Sequence, residues 1–187
     1  GMDASSLFNS LTGYSKSPEY QKLVLAPNDL RKFFETMIKN EINNAENGLE
    51  AKIIMKVNSI VDKDIIKLLY KASKAGVEIK LIVRGICCLV PGIEDTSENI
   101  QVYSIVGRLL EHSRIFYFHN NADPKIYMGS ADLMPRNLDR RVELVFPIED
   151  ERLKKRTLKI LDILLKDNVN MRIQLPNTEY VRVDKRG

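Results

Sequence analysis

Apolar residues recur along the chain with two alternating periods, one of strands and one of helices. Leu23-Val24-Leu25-Ala26 is a short continuous run that reads as a strand ended by Pro27. Leu30, Phe33, Phe34, Met37, Ile38, Ile42 and Ala45 then fall at helical spacing, with Asn28 placed to cap the helix and Gly48 to close it. Residues 52–57 read as a second strand. Asp62 caps a helix with Ile65, Ile66, Leu68, Leu69 and Ala72 along one side, Gly76 stops it, and residues 77–83 form the next strand. This is a βαβ unit, whose strands run parallel with their carboxyl ends together. Asn58 and Arg84 follow those ends directly, so they are expected side by side at the edge where open α/β sheets bind ligands.

Further on, residues 91–99 read as a loop, 101–106 as a strand, and 107–111 as a helical turn leading into His112. Residues 115–118 and 125–128 form a strand pair around the turn at 120–124. Residues 141–146 give another strand, with Val142, Leu144 and Phe146 on one face and Arg141 and Glu143 on the other. Periodicity leaves open which face holds a pocket. Asp150 caps a last helix carrying Leu153, Ile160, Leu161, Leu164 and Leu165, and 171–175 reads as a final edge strand. The expected organisation is an arm from a preceding domain over 1–21, a globular unit over 22–175 and a polar tail over 176–187. Alternating strands and helices of this kind imply an α/β sandwich with a mixed central sheet.

Composition changes this picture little. The 187 residues, 44% hydrophobic and 29% charged, suit one soluble domain with a core. No apolar run approaches the roughly 18 residues of a membrane span. The formal charge of +4 fits an anionic ligand and does not by itself argue for nucleic acid. Cys87 and Cys88 are adjacent and point opposite ways in extended chain, which makes them poor disulfide partners and suits a reducing, cytoplasmic setting. Two His and two Cys give no metal cluster of zinc-like spacing, so no metal ligands are expected. Gly1 ahead of Met2 reads as a scar of tag removal, and the chain is expected to be a piece of a longer protein.

The chemistry concentrates between Glu111 and Arg141. There, Glu111-His112-Ser113-Arg114 leads into an apolar strand. After the turn come the small-residue stretch Gly129-Ser130-Ala131-Asp132 and then Arg136, Arg140 and Arg141. Arginine-rich stretches are usually solvated faces, but here the spacing is specific. If the backbone is extended, His112 and Arg114 share a face. One offers a nitrogen for attack on phosphorus or for moving a proton, the other a forked cation for phosphate oxygens. Arg84, Arg114, Arg136, Asn58 and Ser130 complete a set of phosphate-clamp candidates. His119 lies seven residues after His112, on the opposite face of a continuous strand, and reads as a surface residue.

The segments at 11–15 (LTGYS), 56–92, 104–118 and 129–148, taken in order, resemble the C-terminal part of bacterial polyphosphate kinase. That resemblance implies the second of two phospholipase D-like domains and an enzyme that reversibly transfers the terminal phosphate of ATP to polyphosphate through a phosphohistidine. It implies nucleotide contacts by Tyr14, Arg84 and His112 and a phosphate contact by Arg141. His112 corresponds to the second, non-phosphorylated histidine, a general acid or base. The family's GNYH-type phosphohistidine motif, its magnesium-binding arginine region and its N-terminal domains have no counterpart in these 187 residues. Position 133 is Leu where the family has Trp, and His112-Ser113-Arg114 replaces the His-x-Lys of phospholipase D-like domains. The expected partners are ATP, ADP, polyphosphate and the remaining kinase domains, with Mg2+ accompanying ATP in the whole enzyme. Nucleic acid is not expected, and a homo-oligomer is compatible with this reading. The competing readings are a non-catalytic polyanion-binding module, against which stands the lack of aromatics alternating with the basic residues, and a phosphodiesterase that pairs two copies of His112 by dimerisation.

Overall fold

The computed structural model describes residues 2–13, 22–108 and 110–183. In chain order the elements are α1 (Met2–Leu11), β1 (Val24–Ala26), α2 (Leu30–Glu46), β2 (Lys52–Val57), α3 (Lys63–Lys74), β3 (Glu78–Val83) and β4 (Ile100–Ile105). They continue with β5 (Arg114–Phe118), β6 (Lys125–Gly129), α4 (Pro135–Asp139), β7 (Glu143–Pro147), α5 (Glu151–Leu165), β8 (Met171–Gln174) and β9 (Tyr180–Arg182). The strands form one sheet in the order β1-β7-β6-β5-β2-β3-β4-β8-β9. β2, β3 and β4 are mutually parallel. Every other neighbouring pair is antiparallel.

Both faces of the central strands are apolar, as a sheet covered on both sides requires. Ile53, Met55 and Val57 of β2 and Ile79, Leu81 and Val83 of β3 pack with Leu30, Phe34 and Ile38 of α2 and Ile65 and Leu69 of α3. On the opposite face Ile54, Ile82, Ile115, Tyr117 and Ile126 surround Leu161 of α5. The result is an α/β/α sandwich. The βαβ unit is as the pattern predicts: β2 and β3 pair from Lys52↔Glu78 to Val57↔Val83. The Asp62 side chain caps α3 by accepting from the N–H groups of Asp64 and Ile65.

Four local expectations are corrected. The N-cap of α2 is Asp29, not Asn28, because a turn closed by the Asp29 N–H on Leu25 O (2.8 Å) delays the helix by one residue. The described residues between 107 and 111 form no helical turn, since Lys56 holds the following segment open by donating to Ser113 O (2.7 Å) and pairing with Glu111. β7 begins at Glu143, not Arg141, because residues 135–139 fold into α4 and the Arg141 N–H turns back to Arg136 O (2.9 Å). Its inward face carries Glu143 and Val145, while Val142 and Phe146 are exposed. β8 is not an edge strand, because β9 pairs outside it within the segment read as a tail. The segment read as an arm contains α1, a helix that buries no residue.

Cys87 and Cys88 are free thiols. Burial pushes the Cys87 thiol up to about 11, which leaves it protonated and unreactive at neutral pH.

Arg31 ties three helices together. Its guanidinium bonds both oxygens of Asp62 (3.0 and 2.6 Å) and both of Asp139 (2.7 and 2.6 Å). Burial pushes the Asp62 carboxyl up, but Arg31 and two backbone N–H groups more than offset this and hold it below the ordinary carboxylate range. Arg31→Ala strands the buried Asp62 charge and is expected to lower folding stability by about 2 kcal/mol in urea unfolding at pH 7. A depressed carboxyl contributes its stability above the unfolded value of about 3.9 and loses it in acid. The difference between the two proteins therefore shrinks below about pH 4.

Candidate active site

Strand direction gathers the polar candidates at one edge of the sheet. β2, β3 and β4 all end there. β5 starts there, with Ile115 opposite Lys56, and β6 ends there, with Gly129 opposite Arg114. β7 starts at the same edge, with Glu143 opposite Ala26 at the end of β1. Asn58, Arg84, His112, Arg114, Ser130, Asp132 and Arg141 consequently share this edge although they lie far apart in sequence.

A continuous row of hydrogen bonds links five of the side chains. Arg84 Nε donates to Asn58 Oδ1 (3.3 Å). Asn58 Nδ2 donates to both oxygens of Asp132 (3.2 and 3.3 Å), and the Asn58 backbone N–H reaches Asp132 Oδ1 at 2.7 Å. Arg114 donates to the same carboxylate through Nε (3.3 Å) and Nη2 (3.0 Å). Its remaining nitrogen, Nη1, lies 3.2 Å from His112 Nδ1 and 3.0 Å from His112 O. A guanidinium can only donate, so Nδ1 is the acceptor in this contact, which leaves Nε2 as the ring's donor nitrogen.

Asp132 is the centre of this row. It is 7% exposed. Burial pushes its carboxyl up, and Arg114 together with the Asn58 N–H outweighs that, so the group lies below the ordinary carboxylate range and stays charged. Sequence reading passed over this role. The available signal was an acid directly after a small-residue turn at a strand end. Lys56 was also passed over, although a lysine inside the apolar stretch Lys52–Val57 stands out; it is 6% exposed and holds the segment that carries His112.

The expected phosphate clamps divide by whether their donors are free. All donor positions of Arg114 noted above are spent on Asp132 and His112, the Asn58 amide is spent on Asp132 and Arg84, and the Ser130 hydroxyl donates to Glu143. Glu143 also accepts from Asn137 Nδ2 (2.6 Å), which is why a charged residue occupies the inner face of β7. These groups brace the site. Arg84 is different: its two terminal nitrogens have no protein partner among the described residues. Arg136, Arg140 and Arg141 are exposed and also make no side-chain ion pair or hydrogen bond among the described residues. Neither Arg136 nor Arg141 is joined to the hydrogen-bonded row. Tyr14 lies outside the described residues. His119 follows the far end of β5, half-buried, with Nδ1 3.1 Å from Tyr117 Oη, so the two histidines do not meet.

Residues 23–187 match the family model described as polyphosphate kinase C-terminal domain 2. The chain belongs to the polyphosphate kinase family. It is 54% identical over 182 residues to the polyphosphate kinase of Synechocystis sp., covering 97% of this chain and 25% of that protein. It is 50% identical over 187 residues to that of Lactiplantibacillus plantarum, covering 100% of this chain and 26% of that protein. The chain thus spans about a quarter of the length of the curated relatives it matches. The crystal structure of polyphosphate kinase from Porphyromonas gingivalis superposes with a TM-score of 0.95 at 38% identity, over 98% of this chain and 28% of that one. Nuc from Salmonella typhimurium, a phospholipase D family member, superposes with a TM-score of 0.57 at 16% identity, over 86% of this chain and 97% of that one. The latter is a likeness of fold, and the polyphosphate kinase sandwich is accordingly phospholipase D-like. Leu133, where the resemblance predicts Trp, is fully buried in the core. No helix among the described residues is long and apolar enough to cross a membrane.

Proposed function

We propose that this chain forms the nucleotide- and polyphosphate-contacting wall of a phosphotransferase. In the whole enzyme the bond between the terminal phosphorus of ATP and its ADP oxygen breaks, and a bond to the terminal oxygen of polyphosphate forms. The products are ADP and a chain one unit longer, by way of a phosphohistidine on another part of the protein. The carrying observation is that Arg84, with a guanidinium fork open among the described residues, and His112, whose Nδ1 is occupied by Arg114, stand in one hydrogen-bonded row at the sheet edge. Arg84 takes non-bridging oxygens, as a fixed planar fork suits. His112 donates its Nε2 proton to the oxygen on which charge develops. Arg136 and Arg141, which make no ion pair among the described residues, supply further positive charge to the phosphates, and Tyr14 contacts the nucleotide. Mg2+ enters with ATP, and the remaining kinase domains complete the pocket. The free thiols fit a cytoplasmic setting.

The separation of His112 from His119 favours a wall that binds and does not turn over alone. Titration of the chain with ATP and with polyphosphate is expected to show weak binding that Arg84→Gln weakens by about tenfold, the order of one lost charge-assisted contact. Unchanged affinity in Arg84→Gln would remove the nucleotide assignment. Phosphohistidine formation and net polyphosphate synthesis by this chain alone would reject the half-site.

A further inference from the structure

A cleft of about 420 Å3 begins at Gly85, the residue after Arg84, and extends over Ser104 to the outer strands, where Arg172 and Arg182 line it. Its floor is a single cross-strand row. Ser104 faces Arg172 in the pairing of β4 with β8, and Arg172 faces Arg182 in the pairing of β8 with β9. Like charges directly opposite each other in antiparallel strands repel. Cations elsewhere on this sheet are answered: Lys52 and Lys80 lie 2.9 and 2.7 Å from Glu78, and Lys56 pairs with Glu111. Arg172 and Arg182 make no side-chain ion pair or hydrogen bond among the described residues. Two opposed guanidinium groups, both turned into a cleft and both unanswered, are a place prepared for negative charge from outside.

We propose that this cleft holds a run of consecutive phosphates, the continuation of a polyphosphate chain whose end lies at Arg84, a proposal that rests on polyphosphate being a substrate of the site described above. A chain with a charge on every unit meets both forks at once, and the cleft starts at Gly85, the residue that follows Arg84 in sequence. Nucleic acid places a base-bearing sugar between successive phosphates and calls for stacking faces. Among the described residues the one aromatic ring lining the cleft is Tyr180, whose hydroxyl is bonded to Gln174 Oε1 (3.1 Å). The cleft would thus discriminate by chain length: long polyphosphate gains contacts there that ATP and tripolyphosphate, held at Arg84, do not.

The test compares the unaltered chain with an Arg172→Gln/Arg182→Gln double variant for binding long-chain polyphosphate, tripolyphosphate and ATP across salt. The double variant is expected to weaken long-chain binding by about tenfold. Its slope of log affinity against log salt should fall by about 1.4, taking roughly 0.7 for each lost phosphate contact as on a single strand. ATP and tripolyphosphate affinities should change less than about twofold. Without ligand at low salt the variant should melt no lower than the unaltered chain, since a repulsive pair has gone, which separates lost binding from lost folding. Arg84→Gln serves as the control that weakens all three ligands. Unchanged long-chain affinity, or an equal loss for ATP, overturns the cleft and leaves the Arg84 site standing. Single-stranded RNA that competes equally at matched phosphate, with the same loss in the double variant, also overturns it by making the groove a general polyanion surface. Failure of the unaltered chain to bind polyphosphate at all overturns both proposals.

Discussion

Asp132→Ala is expected to lower folding stability by about 3–5 kcal/mol, because it removes one partner of a buried ion pair and leaves the other uncompensated. The Arg114 side chain is 12% exposed and the Asp132 side chain 10%, so little solvent is present to screen the stranded guanidinium. The Asn58 backbone N–H, 2.7 Å from Asp132 Oδ1, loses its acceptor as well. Urea unfolding followed by circular dichroism gives the magnitude. Arg114→Met in the Asp132→Ala background should recover part of the loss, since it removes the unpaired charge and fills the space with apolar atoms. A loss below about 1 kcal/mol in Asp132→Ala, or no recovery in the double variant, would contradict a buried pair as the source. Acid supplies a second measurement. The Asp132 carboxyl lies below its ordinary value in the folded chain, so its contribution is complete above the unfolded value of about 3.9 and is lost as pH falls through the lower folded value. The gap between the unaltered chain and Asp132→Ala should accordingly narrow below about pH 4. Binding should fall with stability, because the same carboxylate fixes Arg114 and, through it, His112.

What could be foreseen from sequence depended on how far apart the cooperating residues lie. Asn58 and Arg84 are joined by one βαβ unit, whose handedness and parallel register leave little freedom, and they do meet. His112 and Arg114 are two positions apart, and their side chains do approach. Asp132 is 74 positions from Asn58 and reaches it only through the order in which β5 and β6 are laid beside β2, which no local period encodes. For that reason Arg114 looked like a free phosphate clamp when its donors are in fact engaged. The inward face of β7 stayed open in the sequence for the opposite reason. Val142, Leu144 and Phe146 alternate as an inward face should, yet the inward positions are Glu143 and Val145. A buried glutamate is tolerable only once Ser130 and Asn137 stand ready to donate to it, and both belong to other elements. β9 was passed over because three exposed residues at a sheet edge carry no burial pattern.

Gly129→Ala is expected to cost about 3 kcal/mol, at the upper end for overpacking, although it adds one methyl group. A Cβ at Gly129 would stand 2.3 Å from Leu144 O, 2.8 Å from Val145 Cγ2 and 3.0 Å from Val145 Cα. Two of these are backbone atoms, so no rotamer change relieves the contact, and β7 must move away from β6. Gly129 pairs with Val145 on one side and with Arg114 on the other, so the displacement acts on both walls of the site. Moving β7 withdraws Glu143 from the Ser130 hydroxyl, and the Ser130 N–H loses Leu144 O at 3.0 Å. Ser130 sits two residues before Asp132, so the carboxylate that braces Arg114 shifts too. Hydrogen exchange should therefore speed up first at the β6–β7 pairing and at the Asn58 amide, while α3 and α5, which lie outside that pairing, keep their protection until global unfolding. Uniform acceleration over the whole chain would mean that the added methyl group acts through global stability alone, and a Gly129→Ala variant as stable as the parent would show that the two strands can part without cost.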